Sequence, residues 1–212
     1  MESLKIHNGD RVLEVGCGYG WISQALWNAA KIEWTGVDQS VEMIRRLRAT
    51  HPERGSRTLL ADARRLPFGE GEFDKVVCTG VLMHISENAI AVQELIRVLR
   101  LGGLLFCSIN NTLSPASLPI RLWNLRKKGF VQKFHVPSSF CKLLQREGLR
   151  VDGMIGDGII ATVPITVGRF SFPPVGMCRS VCKWDVWAVN RFAWLGYEVW
   201  FRGVKATSSC AS

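Results

Sequence analysis

A short apolar segment that runs directly into three glycines constrains the fold of this 212-residue chain more than any other feature. Residues Val12–Val15 are mostly apolar, and Gly16, Gly18 and Gly20 follow at alternate positions. An apolar run of this length that ends in glycines is typical of a buried parallel strand followed by a tight turn. Apolar residues then recur at helical spacing over Trp21–Ala30, so the sequence predicts a strand–turn–helix unit.

The same alternation of strand-like and helix-like segments continues to about residue 110. Further strands are predicted at Trp34–Val37, Thr58–Ala61, Phe73–Cys78 and Leu104–Ile109. Ser40 is the predicted N-cap of a second helix, and Ser86 that of a third helix that runs to about Leu101 and stops at Gly102. Strands that alternate with helices of this length predict a parallel sheet covered on both faces.

The second half of the chain has a less regular pattern. The elements predicted there are helices at Leu118–Leu125, Ser138–Glu147 and Trp184–Leu195 and strands at Val151–Ile155 and Tyr197–Val204. Gly158–Met177 is apolar and interrupted by prolines, which favours an irregular segment. We predict a single domain over residues 1–212, with a ligand-binding half over 1–110 and a substrate-side half over 111–212. Residues 111–135 and 158–178 are candidate lids of that second half.

Composition narrows the class of protein further. No stretch of about 18 uncharged apolar residues is present, and the first ten residues lack a signal-like apolar core, so we expect a cytoplasmic protein. The seven cysteines are then expected to be free thiols. Cys178 and Cys182 are four residues apart, but no second pair of ligands accompanies them, and no metal site is predicted.

The net charge of +9 arises from residues 101–212, because the first hundred residues are neutral overall. The basic residues are scattered, apart from Arg126-Lys127-Lys128. A solvated basic face is the favoured interpretation, ahead of RNA binding through phosphate contacts and base stacking. Peripheral contact with anionic lipid, through this patch and the apolar 158–178 segment, stays open as an alternative.

Polar side chains follow the predicted strands at the points where a ligand would lie. A glycine-rich turn lets a ligand approach the backbone, although Trp21 stands where a dinucleotide motif more often has glycine. Asp38 ends the second strand, where a carboxylate can accept hydrogen bonds from both hydroxyls of a ribose. Asp62 and Ala63 follow the third strand, where they are able to hydrogen-bond the edge of an adenine.

With the later blocks "LPFGEGEFDKVVCTGVLMHI" and "LIRVLRLGGLLFCSIN", residues 10–110 resemble the class I S-adenosylmethionine-dependent methyltransferases. The similarity is to the small-molecule type found in ubiquinone and menaquinone biosynthesis. It implies a Rossmann-like α/β domain whose seven-stranded sheet has the order 3-2-1-4-5-7-6, with the last strand antiparallel. It also implies S-adenosyl-L-methionine as the cofactor.

The resemblance implies a set of cofactor-binding residues. They are Glu14, Gly16, Cys17, Gly18, Gly20, Trp21, Asp38, Gln39, Met43, Asp62, Ala63, Thr79 and Gly80. Residues 14–20 would surround the methionyl and ribosyl parts, and the helix that starts near Trp21 would present its N-terminus to the carboxylate. Asp38 would hold the ribose. Gln39 and Met43 would lie near the adenine, and Asp62 and Ala63 would bind its edge. The backbone at Thr79–Gly80 would meet the methionine amino group.

Catalysis in this family depends mainly on alignment, and a base is needed only where the acceptor loses a proton. His84 and His135 are the candidate bases, and for each a purely supporting role stays open. The function predicted is methylation of a hydrophobic small molecule, or of a lipid-like or secondary-metabolite precursor, with oxygen favoured over nitrogen and carbon. The alternatives are an RNA methyltransferase that uses the basic half and a non-catalytic partner protein. A monomer and a homodimer both stay open.

Overall fold

The computed structural model describes residues 4–115, 117–124, 132–157, 165–167, 170–172 and 193–206. Seven of the strands form one sheet with the order β3-β2-β1-β4-β5-β9-β6. Those strands are β1 (Arg11–Val15), β2 (Glu33–Asp38), β3 (Thr58–Leu60), β4 (Phe73–Cys78), β5 (Leu99–Asn110), β6 (Leu149–Asp157) and β9 (Glu198–Lys205). β7 (Ile165–Val167) and β8 (Phe170–Phe172) form a separate antiparallel pair.

The direction of the strands agrees with the prediction. β1 to β5 pair in parallel, whereas β9 runs antiparallel to both β5 and β6. Counted along the chain within this sheet, the order is 3-2-1-4-5-7-6 with the last strand antiparallel. Both the predicted order and the predicted reversal are confirmed.

Helices cover the two faces of this sheet, as the alternation of the sequence predicts. They are α1 (Trp21–Ala29), α2 (Val41–Thr50), α3 (Asn88–Val98), α4 (Ser117–Asn124) and α5 (Pro137–Arg146). Residues of α1 and α2 share one buried cluster, and residues of α3 and α5 share the other. β5 shows how the two cores are divided, because Leu105 and Cys107 belong to the α3 side and Leu104 and Phe106 to the α1 side.

Two local predictions are wrong around α3. The helix ends at Val98 rather than near Leu101, and its N-cap is Glu87 rather than Ser86. Leu99 already pairs with Phe73 of β4, and a register shift follows before the ladder resumes at Leu104. Gly102 therefore lies inside the strand instead of ending the helix.

The remaining predicted elements either agree with observed elements to within a few residues or fall outside the described residues. Ser40 does cap α2, since its Oγ accepts a 3.3 Å hydrogen bond from the backbone N–H of Met43. Of the predicted helix at Trp184–Leu195, only Ala193–Leu195 is described, as a short 3-10 turn. Most of the 158–178 segment, together with Cys178 and Cys182, is outside the described ranges. Within those ranges, no helix is long and apolar enough to cross a membrane.

Candidate cofactor and active site

A cavity of about 320 Å³ opens at the carboxyl ends of the parallel strands. Val15 and Gly16 reach it from β1, Asp38 from β2, Asp62 from the segment after β3 and Gly80 from the segment after β4. The strand order reverses between β1 and β4, and the carboxyl edge at such a reversal is where open α/β sheets bind ligands. Its volume is at the lower end of the range for small-molecule sites.

Two backbone hydrogen bonds hold the carboxylate of Asp38 at this cavity. Its Oδ2 accepts a 2.9 Å hydrogen bond from the backbone N–H of Gly18, and its Oδ1 accepts one of 2.8 Å from that of Ser40. Each carboxylate oxygen can accept two such bonds, so each retains capacity for a ligand hydroxyl. The arrangement fits the two hydroxyls of a ribose.

The glycine turn brings bare backbone to the cavity. Gly18 has a φ of +53°, in the left-handed region, and a Cβ built there would enter open space rather than protein. Gly16 also has a positive φ, of +78°, and in addition a Cβ there would collide with the side chain of Val81. Substitution at Gly18 would therefore intrude on the cavity, and substitution at Gly16 would displace its wall.

The adenine end predicted from the sequence contains an ion pair. Both oxygens of Asp62 are in contact with Arg64, whose Nη2 lies 2.6 Å from Oδ2 and whose backbone N–H lies 2.8 Å from Oδ1. Arg64 also donates a 3.2 Å hydrogen bond to Glu87, which precedes α3. The guanidinium and the backbone N–H of Arg64 lower the pKa of Asp62, which is therefore anionic at neutral pH.

Eight of the predicted cofactor-binding residues line the cavity. They are Gly16, Gly18, Asp38, Gln39, Met43, Asp62, Ala63 and Gly80. The other five, Glu14, Cys17, Gly20, Trp21 and Thr79, are not among its lining residues. The cavity is also lined by Val15 and Tyr19, which lie within the predicted turn over residues 14–20. Ala61, Val81 and Ile85 line it too, and the sequence reasoning missed these three residues.

Glu14 is buried beneath the glycine turn. Its Oε2 accepts hydrogen bonds from Ser23 Oγ at 2.6 Å and from Trp34 Nε1 at 2.8 Å. Burial raises the pKa of this carboxyl to about 7, although both hydrogen bonds act in the opposite direction. These contacts join β1 to α1 and β2, so the side chain supports the turn from below.

The two candidate bases occupy different surroundings. His84 lines the cavity after β4, and partial desolvation lowers its pKa, so that the ring is neutral at pH 7. His135 is outside the cavity lining, and its Nε2 lies 2.7 Å from Nδ2 of Asn88 on α3. The backbone of His135 also bonds to Asn110 and Thr112, which fixes this segment beside the end of β5.

The His, Cys, Asp and Glu side chains of the described residues do not cluster. No group of three or more His, Cys, Asp or Glu side chains comes together there in a way that could hold an ion. Burial raises the pKa of the thiols of Cys17, Cys78 and Cys107, so these cysteines are protonated at neutral pH.

Comparison with known proteins agrees with this geometry. Residues 13–107 match the family model described as a methyltransferase domain. The chain is 28% identical over 165 residues to 2-methyl-6-phytyl-1,4-hydroquinone methyltransferase of Synechocystis sp.. It is 31% identical over 159 residues to a ubiquinone biosynthesis O-methyltransferase of Xylella fastidiosa. These alignments cover 74% and 70% of this chain, but only 52% and 64% of the respective relatives.

A solved structure shares the fold over nearly the whole chain. It is the methyltransferase in a complex with the Trm112 methyltransferase activator of Haloferax volcanii, with a TM-score of 0.72 and 21% identity. The match covers 96% of this chain and 85% of that one. The fold of the chain is therefore that of the class I methyltransferases. Over residues 13–107 the chain is therefore similar to the methyltransferases, and it spans about half to two thirds of the length of the relatives named above.

Proposed function

We propose that the chain transfers a methyl group from S-adenosylmethionine to a hydrophobic small molecule, and that the acceptor atom is oxygen. The observation that carries the proposal is the Asp38 carboxylate held by Gly18 and Ser40 at the open edge of the sheet. The two relatives named above, a hydroquinone methyltransferase and an O-methyltransferase, support an acceptor of quinol-like chemistry.

The residues at the cavity fit this cofactor. When bound, it supplies an electrophilic methyl group on a sulfonium that leaves as a neutral thioether. Asp38 would bind the ribose hydroxyls through its remaining lone pairs, and Gly18 and Gly80 would allow close approach to the backbone. Asp62 would accept from the adenine amino group once its contact with Arg64 loosens. These residues act by orienting the cofactor and by excluding water from the cavity.

His84 is proposed as the residue that takes the acceptor proton. A hydroxyl acceptor becomes a better nucleophile as its proton is removed, and a neutral imidazole is able to accept that proton. Desolvation lowers the pKa of both histidines, but His84 lines the cavity, whereas His135 is not among its lining residues and contacts Asn88. We therefore assign His135 a positioning role.

The wider predictions remain proposals as well. They are a single domain over residues 1–212, a cytoplasmic location, and a monomeric or homodimeric state. In this proposal residues 1–110 bind the cofactor and residues 111–212 select the acceptor. The strongly basic second half would then be a solvated face, with membrane contact and RNA binding as its alternatives.

Two measurements test the proposed function. Calorimetric titration with S-adenosylmethionine and with S-adenosylhomocysteine should show one site per chain, with affinity in the micromolar range, about −8 kcal/mol. Incubation with methyl-labelled cofactor and a panel of alkylated catechols, hydroquinones and anilines should then label a hydroxyl oxygen, identified by mass spectrometry. Absence of cofactor binding would refute the proposal. Labelling confined to nitrogen or carbon would refute the choice of oxygen.

A further inference from the structure

The carboxyl end of β5 carries two adjacent buried asparagines with different surroundings. Asn111 is fully buried, and its Nδ2 donates to the carbonyls of Trp194 and Gly196 at 2.7 and 2.8 Å. Its Oδ1 accepts a 2.8 Å hydrogen bond from the backbone N–H of Leu113. Both ends of this amide are therefore used to hold the backbone together, which is a structural role.

Asn110 is equally buried, with 1% of its surface exposed, but its amide is only half used. Its Nδ2 donates to Gln132 Oε1 at 3.3 Å and lies 3.5 Å from the hydroxyl of Tyr197, which itself donates to Gln132 Oε1 at 3.3 Å. Oδ1 of Asn110 is buried and has no hydrogen-bond partner in the described part of the chain. A buried polar atom without a partner is uncommon in folded proteins and calls for an explanation.

The position of Asn110 relates it to the cofactor cavity. Side chains alternate along a strand, so Asn110 is on the same side of β5 as Ser108. Ser108 Oγ accepts a 3.0 Å hydrogen bond from the backbone N–H of Gly80, and Gly80 lines the cavity. Asn110 is two residues, about 7 Å, further along the strand.

A backbone contact of the neighbouring residue relates Gln132 to the segment before His84. Lys133, the next residue, donates from its backbone N–H to the carbonyl of Met83 at 2.8 Å. Met83 precedes His84, which lines the cavity. Asn110, Gln132 and Tyr197 therefore come from three separate segments and meet at the carboxyl end of β5, one residue along the chain from the bond between Lys133 and Met83. We call these three residues the amide–phenol cluster.

We propose that the amide–phenol cluster binds a hydroxyl group of the methyl acceptor. This assignment rests on the proposed function, and it adds the chemical group by which the acceptor is recognised. A hydroxyl both donates and accepts, so it can satisfy the unused end of the Asn110 amide whichever way that amide is oriented. The unpaired atom is then a contact that the acceptor completes.

The electrostatics of the cluster favour an uncharged partner. The amides of Asn110 and Gln132 do not ionise in the ordinary pH range. Burial and the neighbouring Glu198 raise the pKa of Tyr197, so its phenol keeps its proton. Glu198 also disfavours an anionic group at this point. A neutral quinol or catechol hydroxyl meets these conditions, whereas a carboxylate does not.

The test compares the two asparagines in the S-adenosylhomocysteine complex. The probes are butylcatechol and its dimethyl ether, which has no hydroxyl to donate, and their affinities are measured by titration calorimetry. The wild-type complex should bind the catechol about tenfold more tightly than the ether, the value of one hydrogen bond in a buried site. Asn110→Ala should lose this preference while its affinity for S-adenosylhomocysteine stays within about twofold of wild type.

Asn111→Ala is the matched control, since it removes an equally buried amide next along the chain. It should lower the melting temperature but keep the preference for the catechol at temperatures where it is folded. Tyr197→Phe, which removes one hydroxyl, provides a second test if Asn110→Ala fails to fold, and it should reduce the preference.

The outcomes separate this proposal from the proposed function. A wild-type complex with no preference for the catechol, or with no affinity for either probe, overturns the cluster assignment. A preference that survives in both Asn110→Ala and Tyr197→Phe also overturns it. Failure of the wild-type protein to bind S-adenosylhomocysteine would instead contradict the proposed function, and is measured separately.

Discussion

The backbone N–H of Gly18 lies 2.9 Å from Oδ2 of Asp38 and donates a hydrogen bond to it, which joins the turn after β1 to the end of β2. The carboxylate therefore has two tasks, because it orients the glycine turn and presents its remaining lone pairs to the cavity. Without this hydrogen bond, neither the glycine turn nor the Asp38 side chain would be held in position by the other. Changes at the two positions should consequently have related effects on cofactor binding.

Asp38→Ala should weaken binding of S-adenosylhomocysteine. Loss of hydrogen bonds to a charged group costs about 1.5–3 kcal/mol, which is roughly a 10- to 150-fold loss of affinity. Calorimetric titration measures the effect. Asp152→Ala is the control, since Asp152 pairs with Arg202 on β9 and is not among the residues that line the cavity. Wild-type affinity in Asp38→Ala would show that the cofactor binds elsewhere.

Gly18→Ala should weaken cofactor binding by more than its effect on stability explains. The new Cβ would point into open cavity space, and the left-handed backbone costs about 1–2 kcal/mol for a non-glycine residue. Gly148→Ala is a matched control, because Gly148 also has a positive φ, of +91°, with nothing near its missing Cβ, but it follows α5 away from the cavity.

Both glycine variants should lower the melting temperature, and only Gly18→Ala should reduce the affinity for S-adenosylhomocysteine. Equal affinities in the two variants would mean that Gly18 serves the turn alone. The comparison therefore separates backbone strain from intrusion on the ligand.

Local patterns in the sequence were sufficient to predict the positions of most strands of the sheet. Phe73–Cys78 was predicted with the bounds that the structure has, because an apolar strand of this kind is delimited by polar and glycine-rich flanks. The position of Asp38 at the cavity was also predictable, since it directly ends a buried strand. The reversal of β9 came from the family resemblance, and no local pattern in Tyr197–Val204 encodes it.

The errors arose where long-range pairing overrides local preference. Leu99 continues the helical apolar pattern of α3, but it pairs with Phe73 of β4 and so begins β5. The role of Glu14 was similarly hidden, because its partners Ser23 and Trp34 are 9 and 20 residues away in the sequence. The Arg64 contact with Asp62 is a side-chain geometry that the motif around Asp62 does not specify.

Arg64→Ala should increase the affinity for S-adenosylhomocysteine. The guanidinium of Arg64 contacts both oxygens of Asp62, so it competes with an adenine amino group for the same lone pairs. The side chains of Arg64 and Asp62 are 41% and 38% exposed, so solvent weakens this ion pair and the gain in affinity should be a few-fold at most.

Calorimetry at low and high salt tests this competition. The wild-type affinity should approach that of Arg64→Ala as salt screens the exposed pair. Arg65→Ala is the control. It removes the same charge from the next residue, and the contacts described above between the Asp62 carboxylate and an arginine are all with Arg64. Weaker binding by Arg64→Ala would mean that Arg64 positions Asp62 for the adenine instead.

Glu14→Gln should make the protein more stable at pH 8 than the wild type. The pKa of Glu14 rises from 4.5 to about 7 on folding because the carboxyl is buried. The folded state therefore holds this proton between pH 4.5 and 7 while the unfolded chain has already released it. The contribution of Glu14 to the free energy of unfolding is highest below pH 4.5 and falls as pH rises to 7, by ~3 kcal/mol in total.

Gln at position 14 keeps an oxygen that can accept from Ser23 Oγ and Trp34 Nε1 but carries no charge, so this pH dependence should disappear. Urea unfolding at pH 5.5 and pH 8 measures the difference. Glu94→Gln is the control of opposite sign, because the Arg97 contact lowers the pKa of Glu94. Glu94 contributes to the free energy of unfolding above pH 4.5, and this contribution is lost only as pH falls through the lowered pKa. The change in the free energy of unfolding caused by Glu94→Gln should therefore be the same at pH 5.5 and pH 8. An equally steep pH dependence in Glu14→Gln and wild type would show that the Glu14 carboxyl is ionised in the folded protein throughout this range.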